Sequence, residues 1–300
     1  MRKKKHTFRE WMIAVRPWSF PASAMPVVVT LGYLFASGAE MNWANGLWAL
    51  VNIVVFHAAG NTWSDYFDYK RRVDAEDTYG VHTLTTGMFS PREIYRLSLI
   101  LLSVALVAGV GLLLRTGWPL LLIGFGGLLC SLLYPYLKYR ACGDYVIFVA
   151  YALLPTLGTA YAATRHVDWR VLLLAVPIGL ITVAILHCNN TRDIQTDSRA
   201  HIRTLAMNLG GRASVWLYCF EVLFPFLWIS GCALAGVLPL WTLLAWLAFV
   251  PACMNVRVVI SYFRGGATAI ANLDEATAKL QLLFSLVLTV AFVVAGLSAS

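Results

Sequence analysis

The chain has 300 residues, 59% of them hydrophobic and 13% charged, with a formal net charge of +8 and a mean hydropathy of +0.70. So much apolar surface exceeds what one soluble core hides, which excludes a water-soluble globular protein and makes lipid the solvent. The positive charge gives no nucleic-acid reading, because the Lys and Arg residues flank apolar runs and form no stripe on a polar domain.

The chain opens Met1-Arg2-Lys3-Lys4-Lys5. This has the charge of a secretory leader, but the first apolar run is long and more follow, so the segment is expected to be retained. Runs of the ~20 residues needed to cross a bilayer are predicted roughly at 19–37, 46–63, 95–114, 116–134, 145–163, 170–188, 214–236, 238–260 and 278–298. With the N-terminus cytoplasmic, all of the 23 Lys and Arg except Arg115, Arg165 and Arg170 fall on the cytoplasmic side, as the retention of basic loops there requires. The predicted fold is all-α: a polytopic membrane bundle of nine transmembrane helices around a central cavity. It forms one domain over residues 1–300, with a basic cytoplasmic segment at 1–18. The six cysteines are scattered without a C-x-x-C pair and read as packing residues.

Two predicted spans run straight into polar sequence. The second ends in Asn61-Thr62-Trp63-Ser64-Asp65-Tyr66-Phe67-Asp68, and the sixth in Asn189-Asn190-Thr191-Arg192-Asp193-Ile194-Gln195-Thr196-Asp197. At helical spacing Asn61, Asp65 and Asp68 share a face, as do Asn189, Asp193 and Asp197. Beyond each cluster comes a related segment, His82-Thr83-Leu84 with Gly87 and Arg203-Thr204-Leu205 with Gly210. This predicts an internal repeat, spans one to four against five to eight with the ninth added, and acidic faces meeting across a shared cavity.

A lone carboxylate at a membrane surface is as readily a solvated loop end as a ligand. Here Asp65, Asp68, Asp74, Glu76 and Asp77 gather in one loop and Asp193 and Asp197 in another. Like charges on one face near hydrocarbon repel, and a bound divalent cation removes that penalty. Oxygen ligands without a His or Cys cluster favour Mg2+, which characteristically adds phosphate oxygens to a few carboxylates. The predicted ligand is therefore a Mg2+-diphosphate unit, with Lys70, Arg71, Arg72, Lys138, Arg140, Arg192 and Arg203 available for the remaining phosphate charge. For Arg71 and Arg72 simple basic-loop anchoring is the better reading.

Asn61-x-x-x-Asp65-x-x-Asp68 continuing to Asp74 and Asp77, with Asn189-Asn190-x-Arg192-Asp193-x-x-x-Asp197, resembles the paired aspartate motifs of the UbiA superfamily of intramembrane prenyltransferases. Tyr134-Pro135-x-x-Lys138 is similar to a third segment of that family, associated with the diphosphate and the reacting carbon. Within the superfamily, four stretches look like the 1,4-dihydroxy-2-naphthoate polyprenyltransferases of the MenA type: Trp11 with Arg16 to Ala22, Asp65 to Asp68, Tyr139 to Asp144, and Asn189 to Asp193. His82 and Asp144 depart from that pattern, standing where many relatives carry Arg and Glu.

The resemblance implies Mg2+ on Asp65, Asp68, Asp193 and Asp197, and transfer of a polyprenyl group from its diphosphate to dihydroxynaphthoate with loss of carbon dioxide, in menaquinone synthesis at the inner cell membrane. Tyr134 is the aromatic face expected to steady an allylic cation, ahead of Trp63, Tyr66, Tyr136 and Tyr139, for which membrane-interface anchoring competes. Arg16, Lys138 and Arg140 are expected to position the acceptor anion and Asp144 to bond a ring hydroxyl. Two rivals are a UbiA-type enzyme with another acceptor, such as 4-hydroxybenzoate, and a cation-coupled transporter, whose sites belong near mid-membrane. A CDP-alcohol phosphotransferase is disfavoured because no D-G-x-x-A-R run is present. His57 and His187 read as packing histidines, and Glu221 as an intramembrane carboxylate whose partner sequence does not reveal.

Overall fold

The computed structural model describes residues 6–73, 83–200 and 202–299. Among them every regular element is helical, apart from one isolated backbone bridge between Arg140 and Arg203. Eight helices are long and apolar enough to cross a membrane, and a bent pair makes a ninth.

That pair is α1 (Phe8–Val15) and α2 (Pro21–Ala36), which meet through a 3-10 turn at Pro17–Ser19 with a bend of 51°. The break has a local cause. Arg16 takes a left-handed conformation, with φ of 56°, and the following Pro17 cannot continue α1's hydrogen bonding. α2 occupies the first span predicted at 19–37, and α1 precedes it within the segment predicted as cytoplasmic.

α3 (Trp43–Lys70) is longer than predicted. No Gly or Pro interrupts residues 61–70, so the helix runs on through the whole first aspartate motif. α4 (Pro91–Thr116) starts at a capping box of Ser90 and Glu93 with Pro91 at its first position, an N-terminal signal visible in sequence. α5 is Pro119–Leu137. The fifth span is composite: α6 (Gly143–Phe148), a π-helical turn at Val149–Leu153, and α7 (Leu154–Thr164). Pro155 in the first turn of α7 has no N–H for the preceding turn, and the Leu154 N–H reaches back to the Val149 carbonyl.

α8 (Leu172–Arg192) ends at Asp193, and the short α9 (Ile194–Arg199) resumes beyond it. The expected single face of Asn189, Asp193 and Asp197 is therefore divided over two helices, with Asp193 at the joint. α10 (Leu205–Leu209) leads into α11 (Gly211–Leu234). A turn at Gly236, with φ of 71°, separates α11 from the eighth span, which begins as 3-10 helix at Leu240–Ala248 and continues as α12 (Phe249–Ile260). α13 (Tyr262–Ala269) and α14 (Leu273–Ala299) complete the chain.

α3 packs mainly on α4, and α8 on α11, the equivalent pairs of the two predicted repeats. Gly87 and Gly210 also correspond: both have positive φ, 69° and 76°, in the approaches to α4 and α11. α14 packs against α2, α8 and the eighth span. The main apolar core joins α2, α8, α11 and α14 through residues such as Leu34, Ile178, Tyr218, Phe226 and Phe284. α4 and α5 instead turn Val107, Leu114, Leu122 and Phe125 outward, as helices in lipid do.

Candidate active site

A cavity of about 560 Å3 opens between α3, α5, the composite fifth span and α8. Its polar end is lined by Arg16, Asn61, Ser64, Asp68, Tyr134, Lys138 and Asn189. Its long remainder is apolar, walled by Ile53, Phe56, Leu113, Leu128, Ile147 and Leu154 among others, with Gly124 and Gly127 on the α5 side.

α3 supplies the first motif. Asn61 donates its amide hydrogens to the Val15 carbonyl and Ser19 Oγ, both at 3.0 Å, and so holds the bend between α1 and α2. One turn on, Asp65 accepts from Arg16 Nη2 at 2.5 Å. Asp68 accepts from Lys138 Nζ at 2.6 Å, from Ser64 Oγ at 3.2 Å and from the Tyr139 hydroxyl. The C-terminal end of α5 is thereby fastened to the motif. Arg71 reinforces it by donating to the Pro135 carbonyl at 3.1 Å and stacking over Tyr136 and Tyr139.

From the other half, Asn189 faces the cavity with its Oδ1 buried and without a hydrogen bond. Asp193 is gripped by the guanidinium of Arg192 at 2.8 and 2.9 Å, and Arg192 also donates to the Ala271 carbonyl at 3.0 Å. On α9, burial together with the charge of Asp193 pushes the Asp197 carboxyl up to about 7, with Asp68 adding and Lys138 opposing. Asp68 and Asp197 thus feel one another across the cavity mouth, and the two acidic clusters meet there. Backbone pairing closes the mouth's edge: Ala141 N–H donates to the Arg203 carbonyl at 2.7 Å and Arg203 N–H to the Tyr139 carbonyl at 3.1 Å.

The sequence-predicted residues divide accordingly. Arg16, Asn61, Asp68, Tyr134, Lys138 and Asn189 line one cavity, with Asp65, Tyr139, Asp193 and Asp197 beside it. Lys70, Arg140 and Arg203 are exposed and do not line it. Arg192 is committed to Asp193 and the start of α14. Asp144, expected to bond a ring hydroxyl, does not line the cavity: it is buried against His187, and Asn190 faces it. Trp63 and Tyr66 pack on Tyr95 of α4. Asp74, Asp77 and His82 lie outside the described residues.

Four cavity residues, His57, Ser19, Ser23 and Tyr151, escaped the sequence reading as a group. His57 meets Ser23 Oγ at 2.8 Å and Ser19 Oγ at 3.4 Å, and Tyr151 of the π turn stands edge-on to it. The π turn was the available signal for Tyr151, because such turns favour functional sites, but only Pro155 hints at it in sequence.

Among the described residues the donor set at the mouth is carboxylate and amide oxygen, from Asp65, Asp68, Asp193, Asp197 and the unpartnered Asn189 Oδ1. Such a set, strained by like charge, fits a hard divalent cation. An all-helical membrane bundle with a cationic and acidic mouth over an apolar, lipid-bounded cavity defines an intramembrane enzyme of the prenyl-transfer class. The chain belongs to the UbiA prenyltransferase family, whose family model matches residues 24–272.

Among its relatives, the UbiA prenyltransferase domain-containing protein 1 homolog of Drosophila melanogaster is 35% identical over 230 residues, 73% of this chain and 63% of that protein. The matched region thus spans less than two thirds of that relative's length. The mouse UbiA prenyltransferase domain-containing protein 1 is 30% identical over 295 residues, 95% of this chain and 84% of its own. In fold, the chain is similar to a UbiA homolog from Archaeoglobus fulgidus solved with GPP and Mg2+, with a TM-score of 0.66 at 13% identity over 94% of this chain and 99% of that one. It is also similar to an apo UbiA homolog from Aeropyrum pernix K1, with a TM-score of 0.64 at 16% identity over 91% and 97% of the two chains.

Proposed function

We propose that this protein transfers a prenyl group from a prenyl diphosphate to an acceptor carbon within the membrane. The observation that carries the reading is one cavity with a charged mouth at Asp68, Lys138, Asn61 and Asn189 and an apolar body open toward α5. A diphosphate bearing a hydrocarbon tail has that same division of polarity. The Archaeoglobus protein of the same fold is bound to GPP and Mg2+.

Asp65, Asp68, Asp193 and Asp197 would hold Mg2+, which supplies charge neutralisation for the departing diphosphate. Lys138 places its ammonium at the mouth beside Asp68 and receives negative charge as the carbon–oxygen bond breaks, its electron pair leaving with the diphosphate. Tyr134, with Lys138 Nζ 5.4 Å from its ring, and Tyr151 offer aromatic faces to the allylic cation on the cavity side. Apolar walls keep water from capturing it. Acceptor ring electrons then form the new carbon–carbon bond, and the ring restores itself by losing a proton, or carbon dioxide where the attacked carbon carries a carboxylate. Arg16 at the rim is the candidate to orient an acceptor anion. The distribution of basic residues supports a mouth at the cytoplasmic face.

The acceptor is the finer question. The relatives' names specify a prenyltransferase domain and no acceptor, so the broader reading leads: a UbiA-type enzyme whose acceptor differs from dihydroxynaphthoate, with 4-hydroxybenzoate as one candidate. The naphthoate reading, and with it menaquinone synthesis, is supported by the stretches Arg16 to Ala22 and Asn189 to Asp193.

Purified protein given Mg2+, geranylgeranyl diphosphate and both acceptors in competition decides by product mass. Prenyl transfer is expected, and it is expected to be lost in Asp65→Ala and Asp193→Ala proteins that insert normally. Full activity in Asp193→Ala sinks the mechanism, and a prenylated naphthalene that has lost carbon dioxide selects the naphthoate acceptor.

A further inference from the structure

Behind the cavity wall, three ionisable side chains from three helices converge. Asp144 comes from α6, His187 from α8 and Glu221 from the middle of α11, and they are 4%, 0% and 3% exposed. One ligand atom from each lies within 4.8 Å of the others. None of the three lines the cavity.

Their hydrogen bonding is incomplete. Asp144 Oδ2 stands 2.7 Å from His187 Nδ1, and its Oδ1 accepts from Asn190 Nδ2 at 3.3 Å. His187 Nε2 and Glu221 Oε2 are both buried without a hydrogen-bond partner. With the imidazole proton on Nε2, the Nδ1 lone pair and Asp144 Oδ2, 2.7 Å apart, can share one ion as adjacent ligand atoms.

A divalent cation is one way to balance the charge of this cluster. Two carboxylates and one imidazole carry a net charge of at least −1 if both acids are ionised, even with the imidazole protonated, and a buried unbalanced charge in a membrane bundle is costly. A divalent cation with a neutral imidazole brings the sum to zero. The nitrogen ligand disfavours Mg2+ and suits a divalent transition metal.

We infer that Asp144, His187 and Glu221 form a second metal site, for one divalent transition-metal ion of the zinc, manganese or iron class, separate from the all-oxygen site at the mouth. The ion ties α6 and α11 to α8 two residues before Asn189, and so holds the strip of α8 that carries Asn189 and Asp193. Its role is positioning: it touches no substrate.

Full-length protein in detergent, stripped with chelator and kept in excess Mg2+ to saturate the mouth, is titrated with Co2+. Bound metal is counted by elemental analysis and its ligand field read by visible absorption. The wild type is expected to retain one equivalent of Co2+ with bands displaced from those of an all-oxygen site, and Zn2+ to displace it. Glu221→Leu and His187→Gln are expected to weaken uptake at least tenfold, while Asp193→Asn keeps it. Wild-type protein that takes up no saturable Co2+ or Zn2+ in Mg2+ overturns the site whether or not the variants fold, as does uptake unchanged in both variants. Neither readout depends on prenyl transfer, so loss of that reading leaves this test intact.

Discussion

Lys138 joins more of the mouth than any other cation described: its ammonium bonds Asp68 at 2.6 Å and Ser64 at 3.1 Å and lies near the rings of Tyr134 and Tyr139. Lys138→Met keeps the length and removes the charge. Transfer is expected to fall on the order of 100-fold, the usual cost of losing one donor aimed at developing charge, measured as kcat with saturating donor. Asp197 sets a pH dependence. Its carboxyl is raised, so the folded protein holds a proton that the unfolded chain has released, and stability falls as pH rises from 3.8 towards about 7. A divalent cation displaces that proton. The rise in Tm on adding Mg2+ is therefore expected to grow as pH passes upward through this window, and a pH-independent increment would remove Asp197 from the ligand set.

At the scale of elements, the π turn and α8 are in closest approach at Gly179. A methyl there would stand 2.6 Å from Phe148 Cε2 and 2.7 Å from Ala152 Cβ, distances that force backbone or ring to move. Gly179→Ala is expected to destabilise by about 1–3 kcal/mol, as overpacking does, and to disturb activity through Tyr151. Gly124→Ala, with open space around the added carbon, is the control and should leave Tm unchanged. The motif helices behave differently from one another. α3 carries Asn61, Asp65 and Asp68 on one uninterrupted helix, whereas α8 stops at Asp193 and hands Asp197 to α9.

Over the whole molecule, the cavity is bounded toward lipid by α5, whose only buried residue among those described is Pro135. Gly124 and Gly127 keep that wall thin. Gly127→Phe would fill the tail path without touching the mouth. The expected result is a loss of at least tenfold in kcat/KM for geranylgeranyl diphosphate with dimethylallyl diphosphate little affected, measured on the two donors in parallel. Equal losses on both would place the tail elsewhere.

Much of this architecture was legible before any tertiary contact was known. Spans follow from runs of apolar residues because lipid demands helices of fixed length, and the face shared by Asn61, Asp65 and Asp68 follows from 3.6 residues per turn within one helix. Asn190 was expected to bind substrate together with Asn189, yet neighbours on a helix point about 100° apart, and in the fold it faces Asp144 instead. The folded structure alone decided which cations answer those carboxylates: Arg16 reaches Asp65 only because Pro17 and the left-handed Arg16 fold α1 back across α3, and Lys138 reaches Asp68 only because α5 packs there. It alone gave Glu221 its neighbours, Asp144 and His187, which lie far off in sequence. Periodicity is a property of a single helix and is written in the order of residues. Which helices touch depends on the packing of the whole core, and no local stretch of sequence carries that.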